Sequence, residues 1–427
     1  MPLLKISDNK RYFQTADGKP FFWLGDTGWL LFTKCSREEA LHYLDKRQQQ
    51  GFNVVQIMLL HTLKATDVYG DSALVNGNIA QPDLANGYWK HVDFILHEAA
   101  KRGIYMALVP VWGGNVKEGK ITAQQATLYA AFLARRFKNE NNIVWLNGGD
   151  IKGSDGLQVW KAIGTTIKKY DPRHLQTFHP RGRTSSSEWF HKEAWLDFNM
   201  FQSGHKDYAQ DTSSNEQHHY GEDNWKFVQA DYKLLPVKPS MDGEPSYENI
   251  PHGLHDSLAE RWTAADLRRY AYWSVLAGGA GFTYGENAVM QFNTRGDRTA
   301  NFGVSNNWNN TIDAPGAGEM KYLKQLMLAV SYFDRVPAQE IIVDNTRDRY
   351  HYLLASKGQK YVMVYVYTGR NFSLDLSALH FKAKKAGWFN PKNGTTTAID
   401  DFKAAGVLAF DPPGEEAEGN DWVLLIE

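Results

Sequence analysis

The chain has 427 residues, with 47 Lys and Arg against 48 Asp and Glu and a formal net charge of -1 at pH 7. So even a balance gives no electrostatic hold on nucleic acid or an anionic membrane, and no apolar run is long enough to span a bilayer. With 43% hydrophobic and 22% charged residues, a globular protein is expected, too long for one ordinary core and so built as one large domain plus a smaller one.

Leu4 to Pro20 reads as a hairpin turning at Ala16-Asp17-Gly18-Lys19. A strand–helix alternation follows. Phe21 to Asp26 is the first buried strand. Ser36 opens a helix, with Glu39 three residues on to complete a capping box, and Gly51 closes it. Val54 to Leu60 is the second strand, and Tyr88 to Arg102 the next helix, ending on Gly103. Ile104 to Trp112 is the third strand and Ala123 to Phe137 its helix. Ile143 to Asn147 is the fourth strand and Leu157 to Lys169 its helix. Leu175 to His179 and Phe198 to Gln202 are the fifth and sixth strands. Asn224 to Leu234 is helical before the seventh strand, Pro236 to Met241. Ala264 to Leu276 is a helix, Gly281 to Tyr284 the eighth strand, and Met320 to Tyr332 the last helix.

These continuous apolar strands suit a parallel sheet buried on both faces, and the alternation fits a (β/α)8 TIM barrel over residues 1–335. The long loops at His61 to Gly87, Gly204 to Gly221 and Glu286 to Gly318 all lead from strand to helix. They fall on the face where a barrel carries its active site. After Val336-Pro337 the pattern changes. Ile341 to Val343, Tyr350 to Ala355, Tyr361 to Tyr367, Phe372 to Leu376 and Trp422 to Ile426 read as strands with turns between them. Residues 336–427 are therefore expected to form a small antiparallel β-sandwich.

Two segments carry the chemistry. Ile143 to Asp150 ends in Asn147-Gly148-Gly149-Asp150, and Val237 to Pro245 ends in Asp242-Gly243-Glu244-Pro245. Two acids on a barrel rim are what glycosidic cleavage needs: one protonates the leaving oxygen, and the other attacks or activates water. Asp150 and Glu244 are the catalytic candidates, although either acid could instead cap the next helix. Asp26, ending the first strand, is a candidate for binding substrate or for pairing with an Arg. Asn147 could bind a sugar hydroxyl or shape a turn. Asp242, two residues before Glu244, would share its face on an extended strand and raise its pKa.

His61, His179 and His205 follow the second, fifth and sixth strands. With Asp150 and Glu244 they could be drawn as a metal site. The paired histidines usual after a first strand are missing, since Gly25-Asp26-Thr27 stands there, and no His-x-x-x-His lies on a helix. The histidines are read as binding sugar hydroxyls or orienting carboxylates, with no metal and no cofactor expected. His218-His219 reads as a solvated loop pair. Trp112 and Tyr284, closing the third and eighth strands, would wall a sugar subsite or plug the barrel mouth. Glu286 is a third rim acid.

Aromatic residues make up 13% of the chain, with 14 Trp and 21 Tyr, and sugar C–H faces stack on aromatic faces. An oligo- or polysaccharide partner is therefore expected, although an aromatic core would give the same count. The single cysteine, Cys35, excludes an intrachain disulfide, and Met1-Pro2-Leu3-Leu4-Lys5 lacks the apolar core of a signal peptide.

Gly18-Lys19-Pro20-Phe21-Phe22-Trp23-Leu24-Gly25-Asp26-Thr27 resembles the start of the apiosidase-like glycoside hydrolases (family 140). Asn147-Gly148-Gly149-Asp150 and Gly243-Glu244-Pro245 match their two strand-end acids. Gly387-Trp388-Phe389-Asn390-Pro391-Lys392-Asn393-Gly394 is similar to the signature of the small β domain attached to them, often labelled collagen-binding. The resemblance implies a barrel of the large retaining-glycosidase clan, with Asp150 as acid/base after strand four and Glu244 as nucleophile after strand seven. Strand four ends here in Gly-Gly-Asp, where Asn-Glu is commoner, so a shorter acid must reach the leaving oxygen. The resemblance further implies pectic side chains as substrate, with apiose in rhamnogalacturonan II, and packing against the barrel as the role of the β domain. A secreted or periplasmic bacterial enzyme is the expectation. A metal-dependent hydrolase, a non-catalytic sugar-binding protein and an adhesive protein remain as alternatives.

Overall fold

A computed structural model describes residues 1–214, 216–345 and 348–427. Eight parallel strands form the barrel: β1 (Trp23–Thr27), β2 (Val54–Met58), β3 (Tyr105–Val109), β4 (Ile143–Ile151), β5 (Gln176–Pro180), β6 (Asn199–Gln202), β7 (Ser240–Asp242) and β8 (Gly281–Tyr284). Pairing runs unbroken from β5 back through β4, β3, β2 and β1 to β8, β7 and β6. The seam between β5 and β6 is closed by single bonds. Asp197 N donates to Gln176 O at 2.8 Å, and Thr177 Oγ1 donates to Phe198 O at 2.6 Å. The two-residue strand Thr184–Ser185, just after β5, pairs antiparallel with β6.

The helices that alternate with the strands are α1 (Arg37–Gln49), α2 (Tyr88–Lys101), α3 (Ala123–Phe137), α4 (Leu157–Tyr170), α5 (Ser187–Phe190), α6 (Trp225–Tyr232), α7 (Ala264–Leu276) and α8 (Pro315–Ala329), and further short helical turns lie in the loops. The Ser36 capping box is present, with Ser36 N donating to Glu39 Oε2 at 2.8 Å and Glu39 N donating to Ser36 Oγ at 3.2 Å. α5 is a single turn, so the fifth strand is followed by almost no helix. α8 starts before the expected Met320, because Pro315 has no N–H to lose in the first turn and a φ already suited to a helix.

The N-terminal segment is a three-stranded meander, Leu4–Ile6, Phe13–Thr15 and Pro20–Phe21, rather than a simple hairpin. It closes the end of the barrel opposite the active-site face. Phe13 packs edge-on against Phe198 at 5.0 Å and against Trp23 at 5.9 Å, both at strand starts. Strand β7 is short, because Pro236 and Pro239 have no N–H to donate to a ladder and the chain pairs only from Ser240.

The C-terminal part is an antiparallel sandwich. Its six-stranded sheet comprises Val336–Pro337, β9 (Leu354–Lys357), β10 (Val362–Val366), β15 (Trp422–Ile426), β12 (Ala386–Phe389) and β13 (Thr396–Ala398). A two-stranded sheet of β11 (Phe372–Asp375) and β14 (Val407–Phe410) covers one face. Val362, Val364 and Val366 point towards that cover, while Met363, Tyr365 and Tyr367 point to the barrel. The expected strand at Ile341 to Val343 is instead a 3-10 turn over Gln339–Ile341, and Tyr350 falls in another, Arg349–His351. β12, β13 and β14 were not legible as strands; all residues of β13 are exposed, so no buried alternation marks it.

Candidate active site

Strand β4 ends in a β-bulge. Its register against β5 slips between Gly148 and Ile151, and Gly148, Gly149 and Asp150 have φ of 93°, 110° and 47°. Left-handed backbone at a non-glycine residue is uncommon, and Asp tolerates it better than most. A Cβ on Gly149 would lie 2.5 Å from the Trp112 ring, so only glycine lets the strand pass beneath that tryptophan. The bulge turns Asp150 into the cleft, where it meets solvent although protein walls crowd it. That crowding, and then the charge of Glu244, raise its carboxyl from 3.8 to about 6.

Glu244 follows β7 and is 6% exposed. Gly243 sits against Met200, where a Cβ would come within 2.4 Å of Sδ, and Gln56 Nε2 from β2 donates to Gly243 O at 2.6 Å. The segment that carries Glu244 is thereby pinned from two sides. Tyr247 Oη donates to Glu244 Oε1 at 2.5 Å and itself accepts from Trp29 Nε1 at 3.1 Å. His205 Nε2 lies 3.3 Å from Oε1, and His179 Nε2 lies 3.1 Å from Oε2. The His179 approach is close, but its angle is outside hydrogen-bond range, and both atoms lack another partner. Burial pushes the Glu244 carboxyl up, but the two imidazoles pull it further down, to about 2. The upward shift expected from Asp242 is therefore not the net result.

Asp150, Glu244, Trp112 and His205 all line one cleft at the C-terminal end of the strands. His179 lies beneath it, buried, edge-on to Trp29 at 5.3 Å. The remaining candidates lie elsewhere, each for a visible reason. Asp26 is fully buried in an ion pair with Arg47 of α1, Nε to Oδ2 at 2.6 Å, and accepts from Tyr43. Asn147 Nδ2 donates to Trp160 O at 2.9 Å, so its amide ties β4 to α4. Asp242 accepts from Ser203 Oγ at 2.6 Å and Asn224 Nδ2 at 2.9 Å beneath the cleft, and burial raises its carboxyl to about 6. Tyr284 Oη donates to Glu248 Oε2 at 2.6 Å. Glu286 caps the turn Asn287–Met290, accepting from Val289 N at 2.9 Å, and also accepts from Thr311 and Asn249. His61 is half-buried beside Asn115, which donates to its carbonyl at 3.0 Å. Burial lowers its pKa.

Trp29, Tyr247 and Gln202 belong to the site but were not picked out from the sequence. Tyr247 stands three residues after Glu244, and Gln202 is the last residue of β6; those positions were the available signals. Leu254 and Phe302 arrive on loops whose paths the sequence does not show. Among the described residues, no group of three or more His, Cys, Asp or Glu side chains is arranged to hold a metal ion. No helix among them is long and apolar enough to cross a membrane.

The model of the "Apiosidase-like, catalytic domain" family matches residues 7–334. That of the "Putative collagen-binding domain of a collagenase" matches residues 336–427. No curated protein sequence matches the chain. Among solved structures, one described as a glycoside hydrolase is 43% identical, with a TM-score of 0.95 over 100% of this chain and 96% of its own. A family 5 glycoside hydrolase from Bacteroides vulgatus is 42% identical, with a TM-score of 0.95 over 99% of this chain and 93% of its own. An endo-1,4-β-D-mannanase from Thermotoga petrophila, at 14% identity and a TM-score of 0.52 over 72% of this chain and 100% of its own, shares the barrel fold. Acids on a barrel rim, aromatic walls and a family match across most of the chain agree: the protein is a glycoside hydrolase, and it belongs to the apiosidase-like family.

Proposed function

We propose that the enzyme removes a sugar from a pectic side chain of a plant-type polysaccharide, apiose being the sugar its family points to, by two carboxylates acting in turn. Glu244 attacks the anomeric carbon while Asp150 gives its proton to the leaving oxygen. Asp150 then takes a proton from water as that water displaces Glu244. The observation that carries this reading is the opposite displacement of two carboxyls in one cleft. Asp150 is raised to about 6 and Glu244 lowered to about 2, so between those values one is an acid and the other an anion. Tyr247 and His205 fix the attacking carboxylate, and Trp29 and Trp112 offer faces for a sugar ring.

A panel of pectic oligosaccharides tests the reading, with released sugars identified by chromatography. Release of apiose is expected; cleavage of neutral mannan with no action on pectin would overturn the substrate. Retention of configuration in the first product, followed by proton NMR, is expected for a nucleophilic Glu244, and inversion would make it a base. We also propose a secreted or periplasmic location. A polymeric substrate too large to enter a cell supports it, and cell fractionation checks it.

A further inference from the structure

The loop from β6 to α6, residues 203–224, carries His205, one of the two imidazoles against Glu244. Its first residues also hold the backbone of Glu244. Gly204 N donates to Glu244 O at 3.1 Å, and Ser246 Oγ donates to Gly204 O at 2.9 Å. Where His205 stands therefore depends on how the rest of this loop is anchored. The barrel supplies part of the anchor. Gly253 N donates to His205 O at 2.7 Å, and Trp262 Nε1 donates to the same oxygen at 3.3 Å.

The sandwich supplies another part. Its 3-10 turn Arg349–His351 and the adjoining Tyr352 lie against both ends of the loop. Tyr350 Oη lies 2.9 Å from each oxygen of Glu222 and donates to that carboxylate. The Tyr350 ring meets the Tyr208 ring at 5.5 Å, and the Arg349 guanidinium sits over Tyr208 at 4.9 Å. Tyr352 stacks flat on Trp225, the first residue of α6, at 4.2 Å. Glu222 Oε1 in turn accepts from Tyr208 N at 3.3 Å, and Tyr208 Oη donates to Asp223 Oδ1 at 2.6 Å. Those two bonds tie the ends of the loop together.

The charges at this joint are covered by the sandwich. Glu222 and Arg269 of α7 are both fully buried and paired, and Arg269 also reaches Asp266 at 3.3 Å. Arg269 Nε and Nη1 have no hydrogen-bond acceptor. Aromatic faces cover the cation instead: Tyr350 at 4.6 Å and Tyr367 at 5.2 Å from the sandwich, with Tyr270 and Trp273 from α7. Without the sandwich faces this pair would open to water, and the carboxylate that joins Tyr208 to α7 would be hydrated rather than fixed.

Resting on the two-carboxylate reading above, we propose that the sandwich helps to build the active site: Tyr350 is a positioning residue that, through Glu222 and Tyr208, sets His205 against Glu244. If the barrel's own bonds to His205 sufficed, the sandwich would add stability alone, and damage at its interface would leave the loop untouched.

Two hydroxyl deletions at the same interface, made in the full chain, test this. Tyr350→Phe removes the bond to Glu222, whereas Tyr365→Phe removes a bond to Asp421, outside the loop. Backbone hydrogen–deuterium exchange over residues 203–212 should be at least about tenfold faster in Tyr350→Phe and unchanged in Tyr365→Phe. Wild-type exchange in Tyr350→Phe, or the same acceleration in Tyr365→Phe, overturns the proposal. Kinetics reads the reach to Glu244. Its carboxylate is held low by His205 and by His179 beneath it, with Tyr247 bonded to it and Asp150 facing it across the cleft. A displaced His205 lets that carboxyl rise. The acidic limb of kcat/KM on 4-nitrophenyl apioside should therefore move up by about one pH unit in Tyr350→Phe and stay in place in Tyr365→Phe. A limb that does not move in Tyr350→Phe overturns the link to His205. If the apioside is not hydrolysed by the wild-type enzyme, the substrate reading fails, and the exchange measurement still decides the role of Tyr350.

Discussion

At the scale of the residue, the two acids differ because their surroundings do. Asp150 is crowded and faces a second negative charge, while Glu244 is held by Tyr247 and two imidazoles. Glu244→Gln keeps the shape and removes the proposed nucleophile, so kcat should fall by about three orders of magnitude or more on every substrate. Asp150→Asn removes the proposed proton donor and should cost roughly 10²- to 10⁴-fold where the leaving group needs protonation, but far less on an activated phenol. Steady-state kinetics on both substrate types checks this, and equal losses would reduce Asp150 to a binding group. The pH dependence follows from the same two shifts. Glu244 is ionised above about 2 and Asp150 protonated below about 6, so kcat/KM should be level between them and fall about tenfold per unit above pH 6. A rate still rising at pH 8 would show that Asp150 is not the acid.

At the scale of the element, the end of β4 is the feature on which the proposed mechanism turns. A strand that simply stopped at Asn147 would leave its next side chain within the sheet. Three successive residues with positive φ instead carry Asp150 out beneath Trp112. Gly149→Ala would meet that ring at 2.5 Å and must displace either the bulge or the tryptophan. We expect kcat/KM to drop by about 10²-fold or more, with only ~1–3 kcal/mol lost from stability. Parallel kinetics and urea unfolding separate the two effects; a variant with wild-type kcat/KM would show that the bulge does not position the acid. The bulge also suits the residue that stands there, because Asp accepts a φ of 47° more readily than most other side chains.

At the scale of the molecule, the sandwich and the barrel share one interior. Tyr365 stacks on Tyr272 of α7 at 5.0 Å, and Met363 and Tyr367 enter the same core as the barrel strands. Beside them Arg268 of α7 pairs with Asp421 at 2.8 Å and Glu319 at 2.6 Å, and Tyr365 Oη donates to Asp421 at 3.2 Å. Asp421→Ala would leave a buried guanidinium half-paired, at a cost of roughly 3–5 kcal/mol. Urea denaturation should show a lower midpoint in one shared transition. A barrel transition unchanged beside a separate, weakened one for the sandwich would mean that the two parts fold independently.

The sequence by itself determined the barrel, since its eight apolar strands, its glycine-ended helices and its capping box are local patterns with local causes. Trp422 to Ile426 was legible for the same reason. Exposed β13 was not, because nothing buried imposes a period on it. The sequence also singled out Asp150 and Glu244, as acids beside glycine at strand ends. Which neighbours they keep was decided only by the tertiary structure. Asp26, Asn147, Tyr284 and Glu286 stand at the same kind of position, yet they are turned inward to Arg47, Trp160, Glu248 and Val289. Trp29, Tyr247 and Gln202 reach the cleft from separate strands and loops. A strand end sets where a side chain starts. Which way it faces, and what charge it keeps, depends on partners far away in the chain.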